Sequence, residues 1–92
     1  MDYTIIHEEK YQQFTIKLEQ EEEAELAYAT PQEGTLNFTH TFVPDSYRGK
    51  GLAQQLIKHG LDYACENGYK VIASCTAVQK YLKQHNEYQD LL

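Results

Sequence analysis

The hydrophobic pattern of the sequence changes at one short turn. A strand-like segment ends at Pro44, and a segment with helical spacing begins after Gly51. Arg48, Gly49 and Lys50 fill this turn. A helix N-terminus presents unpaired backbone N–H groups and roughly half a positive charge, so phosphate groups bind there with little help from side chains. The junction therefore predicts an anion site on an α/β fold.

Two glycines and two cations give this turn its chemistry. Gly49 and Gly51 let the backbone approach a ligand closely, and Arg48 and Lys50 add positive charge. The Arg48 guanidinium can also present two donors to one phosphate. Because the spacing matches neither the P-loop nor the glycine-rich dinucleotide motif, ordinary nucleoside triphosphate and nicotinamide sites are disfavoured.

Hydrophobic spacing before the turn predicts an antiparallel meander. Residues 14–18 and 24–28 alternate with the period of half-buried strands, and a glutamate-rich turn joins them. A further turn at residues 30–34 precedes a strand over residues 35–43. Residues 1–10 fit either an extra strand or an arm.

The chain beyond the turn predicts a β-α-β crossover and a C-terminal helix. Apolar residues recur at helical spacing over residues 51–67, which predicts an amphipathic helix of about 25 Å that ends at Gly68. A right-handed crossover then leads to a strand over residues 70–74, parallel to the preceding strand. The last helix is predicted to begin at Thr76, with Gln79 completing a capping-box pattern.

The net charge of −6, from 14 acidic and 8 basic residues, argues against broad binding of nucleic acid. Most of the basic residues nevertheless lie in the second half of the chain, so an acidic protein can still present a positive pocket to a phosphorylated ligand. The 92 residues fit one domain, residues 1–92, with a modest core. No apolar run reaches the roughly 20 residues that span a bilayer, so no membrane partner is expected.

Cys65 and Cys75 predict reduced thiols in a cytoplasmic protein, since the chain has no recognisable signal peptide. Cys65 belongs to the apolar stripe of the long helix and should be buried. The histidines are scattered, and no pair of histidines or cysteines has the spacing of metal ligands, so no metal site is expected.

The pattern Arg48-x-x-Gly51-x-Ala53, with a strand before it and a helix after it, resembles the acetyl-CoA pyrophosphate motif of the GNAT superfamily of N-acetyltransferases. Further segments resemble a branch of very small GNAT proteins: His40-Thr41, Val43-Pro44, Ser74-Cys75, His85-x-Glu87-Tyr88 and Asp90-Leu91-Leu92. The likeness runs from residue 14 to residue 92. It implies a compact GNAT-like fold, acetyl-CoA as cosubstrate, and transfer of acetyl to an unidentified amine, either a small molecule or a protein lysine or N-terminus.

The resemblance also implies where the cosubstrate binds. Two parallel strands diverge in the GNAT fold, and the pantetheine arm of acetyl-CoA lies between them against the backbone of Phe42 and Val43. The pyrophosphate lies at the turn, whose residues complete the candidate donor site: Arg48, Gly49, Lys50, Gly51, Leu52 and Ala53.

Cys75 and His40 are the candidate catalytic residues. Cys75 precedes a helix N-terminus, whose positive end favours the thiolate, and such a thiol can accept an acetyl group and pass it on. His40 lies near the end of the neighbouring strand and is a candidate general base or activator of Cys75, and members of the small GNAT branch carry a cysteine and a histidine at matching places. In the rival route the amine attacks the thioester directly, with Tyr81 as the proton donor. The helical spacing of Tyr81 with Val78 and Leu82 instead favours a core or wall residue.

Two other interpretations stay open. The chain is shorter than typical GNAT enzymes, and Phe42 stands where relatives often have glutamate. These departures favour either a non-catalytic module that binds CoA or another protein, or an enzyme whose acceptor site is completed by a protein partner.

Overall fold

The computed structural model describes residues 3–92, which form a five-stranded sheet with two α-helices packed on it. The strands follow one another across the sheet in chain order: β1 (Ile5–Glu8), β2 (Gln13–Lys17), β3 (Glu23–Gln32), β4 (Thr35–Phe42) and β5 (Lys70–Ala73). The first four are antiparallel, and β4 and β5 are parallel. Helix α1 (Leu52–Glu66) connects β4 to β5, and α2 (Thr76–Gln84) follows β5. The predicted α/β (α+β) fold, a meander followed by a β-α-β crossover and a C-terminal helix, is confirmed.

The core lies between one face of the sheet and α1. Leu26 of β3 and Phe38 of β4 are fully buried there. Gly60 allows this close approach, because a Cβ atom at that position would lie 2.9 Å from Leu26 Cδ2 and 3.0 Å from Phe38 Cε1. The strand pairing places Phe42 and Ile72 on the opposite face, where both side chains are exposed. The helices therefore pack on one face of the sheet and leave the other open to solvent.

The spacing of hydrophobic residues in the sequence predicted most of these elements correctly. Residues 14–17 lie in β2, with Leu18 just beyond its end, and residues 24–28 lie in β3. Gly68 follows the end of α1 with a φ angle of 73°. The first ten residues contain the extra strand β1, with residues 1 and 2 outside the described part of the chain. The parallel strand after the crossover is also confirmed.

Two local predictions were wrong. Cys65 is exposed, because it lies one residue beyond Ala64, the last buried position of α1, and one residue turns the side chain by about 100°. Thr76 does not cap α2, because the helix already includes it and Cys75 occupies the N-cap position. The Gln79 side-chain amide donates instead to the Ala73 carbonyl, with an Nε2–O distance of 2.8 Å.

His7 attaches β1 to the rest of the molecule through aromatic contacts. Its ring stacks on Phe14 with 4.3 Å between centroids, and Tyr63 of α1 meets it edge-on at 4.5 Å. Its Nε2 atom lies 2.6 Å from the Tyr28 hydroxyl. Burial lowers the pKa of His7, although Glu9 opposes this effect, and burial also raises the pKa of Tyr28 to about 12.

We expect acidification to destabilise the fold through His7. Because its folded-state pKa lies below the ordinary value of 6.5, the unfolded chain binds a proton more readily between these two values. The stabilisation is fully present above pH 6.5 and is lost as the pH falls through the folded-state pKa. Urea unfolding at a series of pH values should show this slope, and His7→Gln should flatten it. His40→Gln, on an exposed residue, is the matched control, and an unchanged slope in His7→Gln would contradict the assignment.

Candidate functional site

β4 and β5 separate at the end of the sheet that lies nearest the glycine turn. Their pairing ends at Phe38 and Ala73, whereas β4 continues to Phe42 with β3 as its neighbour. The backbone N–H groups of Ser74 and Cys75 both donate to the Phe38 carbonyl, at 3.1 and 3.0 Å. The last four residues of β4 therefore lack a β5 partner, as expected for a gap between diverging strands.

The turn after β4 leads directly into the start of α1. Gly49 and Gly51 both have φ angles of 80°, and nothing lies within 4 Å of a Cβ atom placed on either. The left-handed backbone, rather than a shortage of space, is what favours glycine at both positions. The first N–H to bond within the helix is that of Gln55, which donates to the Gly51 carbonyl at 3.1 Å. The backbone N–H groups of residues 52–54 are thus without helical acceptors and available to an anion.

The end of β4, the turn, the start of α1 and Ala77 of α2 surround a cavity of about 580 Å³, a volume typical of small-molecule sites. Its walls include six of the eight residues predicted to bind the donor: Val43, Arg48, Gly49, Gly51, Leu52 and Ala53. The other lining residues were not predicted from the sequence: Thr41, Tyr47, Gln54 and Ala77. We call this space the donor cavity.

The two remaining predicted donor residues lie beside this cavity. The Phe42 side chain is 42% exposed and belongs to the open face of the sheet, so its backbone alone borders the gap. The Lys50 ammonium lies 5.6 Å from the centroid of the Tyr47 ring, and Lys50 lines a neighbouring cavity.

Arg48 lies at the rim of the donor cavity. Its Nη1 atom pairs with Asp45 Oδ1 at 3.1 Å, and its Nε donates to the Val43 carbonyl at 3.3 Å. The guanidinium remains largely exposed. It therefore places positive charge at the cavity mouth while its hydrogen bond holds the end of β4 against the turn.

Cys75 lies at the inner end of the gap, at the N-cap of α2. Its Sγ atom is 3.3 Å from the Thr41 hydroxyl oxygen. Burial alone raises the pKa of the Cys75 thiol, but hydrogen bonds from the Thr41 hydroxyl and from the backbone N–H groups of Val78 and Ala77 more than offset it, so the pKa lies below its ordinary value. These contacts favour the thiolate, which is the nucleophilic form.

The structure does not bring His40 to Cys75. His40 pairs with Ala27, and the next residue, Thr41, pairs with Leu26 and contacts Cys75. Because successive strand residues point to opposite faces, the His40 side chain lies on the open face while Thr41 points toward the helices. The role of His40 as a general base stays a prediction.

Tyr81 belongs to the hydrophobic core, as the alternative to its role as proton donor predicts. Its ring is buried and stacks on His85 with 3.8 Å between centroids, while His85 Nδ1 lies 2.8 Å from the Tyr81 carbonyl oxygen. The Tyr88 hydroxyl donates to Asp62 at 2.6 Å. These contacts hold the C-terminal segment on α1.

Residues 3–92 contain neither a cluster of metal ligands nor a membrane-spanning helix. No group of three or more His, Cys, Asp or Glu side chains in this range is arranged to hold a metal ion. No helix in the same range is long and apolar enough to cross a membrane.

We expect Thr41→Val to make the Cys75 thiol less reactive. The substitution keeps the shape of the side chain and removes the hydroxyl group, so the thiolate loses a hydrogen bond and the pKa of Cys75 rises. The pH profile of alkylation by iodoacetamide should move to higher pH, measured in a Cys65→Ser background that removes the exposed thiol. Thr39→Val is the control, because the Thr39 hydroxyl donates to the Ala27 carbonyl and not to Cys75. This variant should leave the pH profile of alkylation unchanged. Coincident profiles for the two variants would contradict the role given to Thr41.

The fold is that of a small acyltransferase domain, and comparison with known proteins gives its family. The family model described as GCN5-related N-acetyl-transferase matches residues 13–91. The chain belongs to the GCN5-related N-acetyltransferase, or GNAT, superfamily. Its fold is similar to the solution structure of a GCN5-like protein from Staphylococcus aureus, with a TM-score of 0.76, 32% identity, and coverage of 97% of this chain and 86% of the other.

Curated relatives are similar to most of the chain. Protein NATD1 of Gallus gallus is 38% identical over 80 residues, which cover 86% of this chain and 73% of the relative. Protein NATD1 of Homo sapiens is 36% identical over 80 residues, with coverage of 86% and 71%.

Proposed function

We propose that residues 1–92 act as one domain that transfers acetyl from acetyl-CoA to an amine. The observation that carries this proposal is the donor cavity, where residues 52–54, whose N–H groups have no helical acceptor, line the same space as Thr41 at the open end of β4. The first feature suits a pyrophosphate, and the second suits the amide groups of an extended pantetheine arm. Membership of the GNAT superfamily supports the same cosubstrate.

The proposed donor site divides into a phosphate end and a thioester end. Gly49, Gly51 and the first turn of α1 receive the pyrophosphate, with Arg48 at the rim and the charge of Lys50 nearby. The pantetheine arm lies along the backbone of residues 42–43. Its thioester then reaches the gap beside Thr41 and Cys75.

In the direct route, an unprotonated amine attacks the thioester carbonyl carbon. The new C–N bond forms, the C–S bond breaks, and the departing CoA thiolate takes up the proton that the amine loses. A free backbone N–H of the unpaired end of β4 polarises the carbonyl oxygen. His40 or water accepts the amine proton and returns it to the thiolate.

In the covalent route, the Cys75 thiolate attacks the thioester first, CoA leaves, and the amine then takes the acetyl group from Cys75. The lowered pKa of the Cys75 thiol supports this route. It predicts an adduct about 42 Da heavier after incubation with acetyl-CoA. Absence of the adduct, together with retained turnover in Cys75→Ala, would leave the direct route.

The proposal is tested by titrating the protein with acetyl-CoA in a calorimeter. We expect binding that weakens for a dephosphorylated pantetheine thioester and for Arg48→Ala, because both remove contacts at the phosphate end. Lys83→Ala, a change of an exposed cation outside the cavity, should bind normally. Absence of binding at millimolar acetyl-CoA would show that the fold is retained without its chemistry.

A second candidate function is a CoA-binding module that recognises a protein without turnover. The exposed Phe42 and Ile72 on the open face favour it, since a partner that covers them would also complete an acceptor site. Binding of acetyl-CoA without acetylation of any amine or peptide would support this function, and activity that appears with a partner would support a shared acceptor site. Two free thiols fit a cytoplasmic setting for either function.

A further inference from the structure

The hydroxyl group of Thr41 lies between the donor cavity and the Cys75 thiol. Thr41 lines the cavity, and its hydroxyl oxygen is 3.3 Å from Cys75 Sγ. Among the residues that the structure describes, Cys75 itself is not part of the cavity lining. A thioester in the donor cavity therefore meets the Thr41 hydroxyl before it meets the thiol.

The hydrogen bond between Thr41 and Cys75 can run in either direction. A protonated thiol donates to the Thr41 oxygen and leaves the hydroxyl hydrogen free to point into the cavity. A thiolate instead accepts the hydroxyl hydrogen. Reversal of this bond thus moves one proton from Cys75 to a group in the cavity, while Thr41 keeps one hydrogen before and after.

The N-terminus of α2 stabilises the thiolate that this transfer leaves behind. Hydrogen bonds from the Thr41 hydroxyl and from the backbone N–H groups of Val78 and Ala77 hold the pKa of Cys75 below its ordinary value, although burial opposes them. CoA carries an ordinary alkyl thiol. Proton transfer from the Cys75 thiol to a CoA thiolate is therefore downhill.

The ionisation of Cys75 is governed by these hydrogen bonds rather than by a neighbouring charge. His40, on the strand that contacts Cys75, lies on the open face of the sheet. On the turn, Tyr47 and Arg48 line the cavity, and Arg48 is paired with Asp45. The first four residues of α1 and of α2 carry no titratable side chain.

Two tyrosines are the alternative proton donors. The Tyr81 ring is buried and stacks on His85, and Tyr81 does not line the donor cavity. Tyr47 does line it, but this residue belongs to the turn and precedes Arg48 at the phosphate end. Thr41 is therefore the side-chain hydroxyl at the thioester end.

We infer that Thr41 is the acid that protonates the departing CoA thiolate, an inference that rests on the proposed function. In the direct route the amine nitrogen attacks the thioester carbonyl carbon, the C–N bond forms and the C–S bond breaks. The CoA sulfur takes the hydroxyl proton of Thr41, and the Thr41 oxygen takes the thiol proton of Cys75. The new amide loses its extra proton to water or His40, and the Cys75 thiolate regains a proton from solvent after CoA leaves.

Thr41 is then a catalytic residue, and Cys75 is a positioning residue that acts through it. This relay needs the Cys75 thiol in its protonated form, so kcat falls as the pH rises through the pKa of Cys75. The covalent route needs the thiolate, so kcat rises over the same interval. The iodoacetamide profile in the Cys65→Ser background locates that pKa independently of turnover.

The test measures turnover of acetyl-CoA by the whole protein, with hydroxylamine as the acceptor and the loss of thioester absorbance as the signal. Hydroxylamine is uncharged across the range in which a thiol ionises, so it adds no pH dependence of its own there. We expect kcat, corrected for the uncatalysed rate, to fall above the pKa of Cys75.

Thr41→Val should lower kcat at least about tenfold and abolish this fall, while KM for acetyl-CoA stays within about twofold. Thr41→Ser keeps the hydroxyl group, so it should retain both the activity and the fall. Thr39→Val is the matched control, because the Thr39 hydroxyl bonds to the Ala27 carbonyl, and it should behave as the unaltered protein.

The outcomes separate this inference from the proposed function. A kcat that rises through the pKa of Cys75, or stays level, would overturn the acid role of Thr41, and a rise together with an acetyl adduct on Cys75 would assign the covalent route. A fall that persists in Thr41→Val and disappears in Tyr47→Phe would overturn it in favour of Tyr47. Binding of acetyl-CoA without any turnover would instead overturn the proposed function.

Discussion

Ala53→Trp is expected to weaken the binding of acetyl-CoA by at least about 100-fold, which corresponds to about 2.7 kcal/mol. Ala53 is the second residue of α1 and lines the donor cavity. An indole ring at this position fills the space in front of the N–H groups of residues 52–54, so the pyrophosphate loses both its volume and its donors. Because Ala53 is outside the buried core, the fold should persist.

Calorimetry with acetyl-CoA measures this loss, and far-UV circular dichroism checks that the variant is folded. Glu66→Trp introduces the same side chain at an exposed position at the other end of α1 and should bind normally. Binding of Ala53→Trp within a few-fold of the unaltered protein would place the donor elsewhere and would contradict the assignment of the cavity.

The glycine turn and the elements around it were predictable because each is specified by local sequence. The apolar period of 3.6 residues identifies α1, and the period of two identifies β2 and β3. Gly49 and Gly51 indicate a turn, and both have a left-handed backbone in the structure. Six of the eight predicted donor residues therefore line one cavity, because a strand, a turn and a helix start that follow one another must lie close together.

The relation of His40 to Cys75 was not predictable because one bulge reverses it. Phe38 packs under α1, so simple alternation places His40 on the same face. The structure pairs Phe38 with Tyr28 and His40 with Ala27, which leaves Thr39 as an extra residue. A one-residue shift moves every later side chain to the other face. No glycine marks this bulge, so the sequence carries no local sign that Thr41 rather than His40 reaches Cys75.

The neighbouring cavity that Lys50 lines could not be predicted for a different reason. Its lining comes from residues distant in sequence: Tyr3 before β1, Leu18 and Glu22 around the β2–β3 turn, and Tyr47 after β4. The sequence predicts a glutamate-rich turn between β2 and β3, and that turn is present. The local sequence does not predict that this hairpin lies beside the turn before α1.

Phe38→Ala is expected to lower the free energy of unfolding by about 3–5 kcal/mol, a large part of the total for a domain of this size. Phe38 is fully buried, and its ring lies under Gly60, where a Cβ atom would be 3.0 Å from Cε1. Because α1 approaches the sheet so closely here, the helix and the strands have little freedom to close a cavity. The loss therefore includes the energy of an unfilled space as well as the transfer of the ring.

The same substitution should also loosen the candidate site, since the Phe38 carbonyl accepts the backbone N–H groups of Ser74 and Cys75. Urea unfolding followed by circular dichroism gives the loss of stability, and the iodoacetamide profile of Cys75 reports on the site. Phe42→Ala removes the same ring from an exposed position of the same strand, so its cost should stay near 0.5 kcal/mol. Similar losses in the two variants would mean that the ring of Phe38 does not anchor α1. An unchanged alkylation profile of Cys75 in Phe38→Ala would show that the position of Cys75 does not depend on the packing of the core.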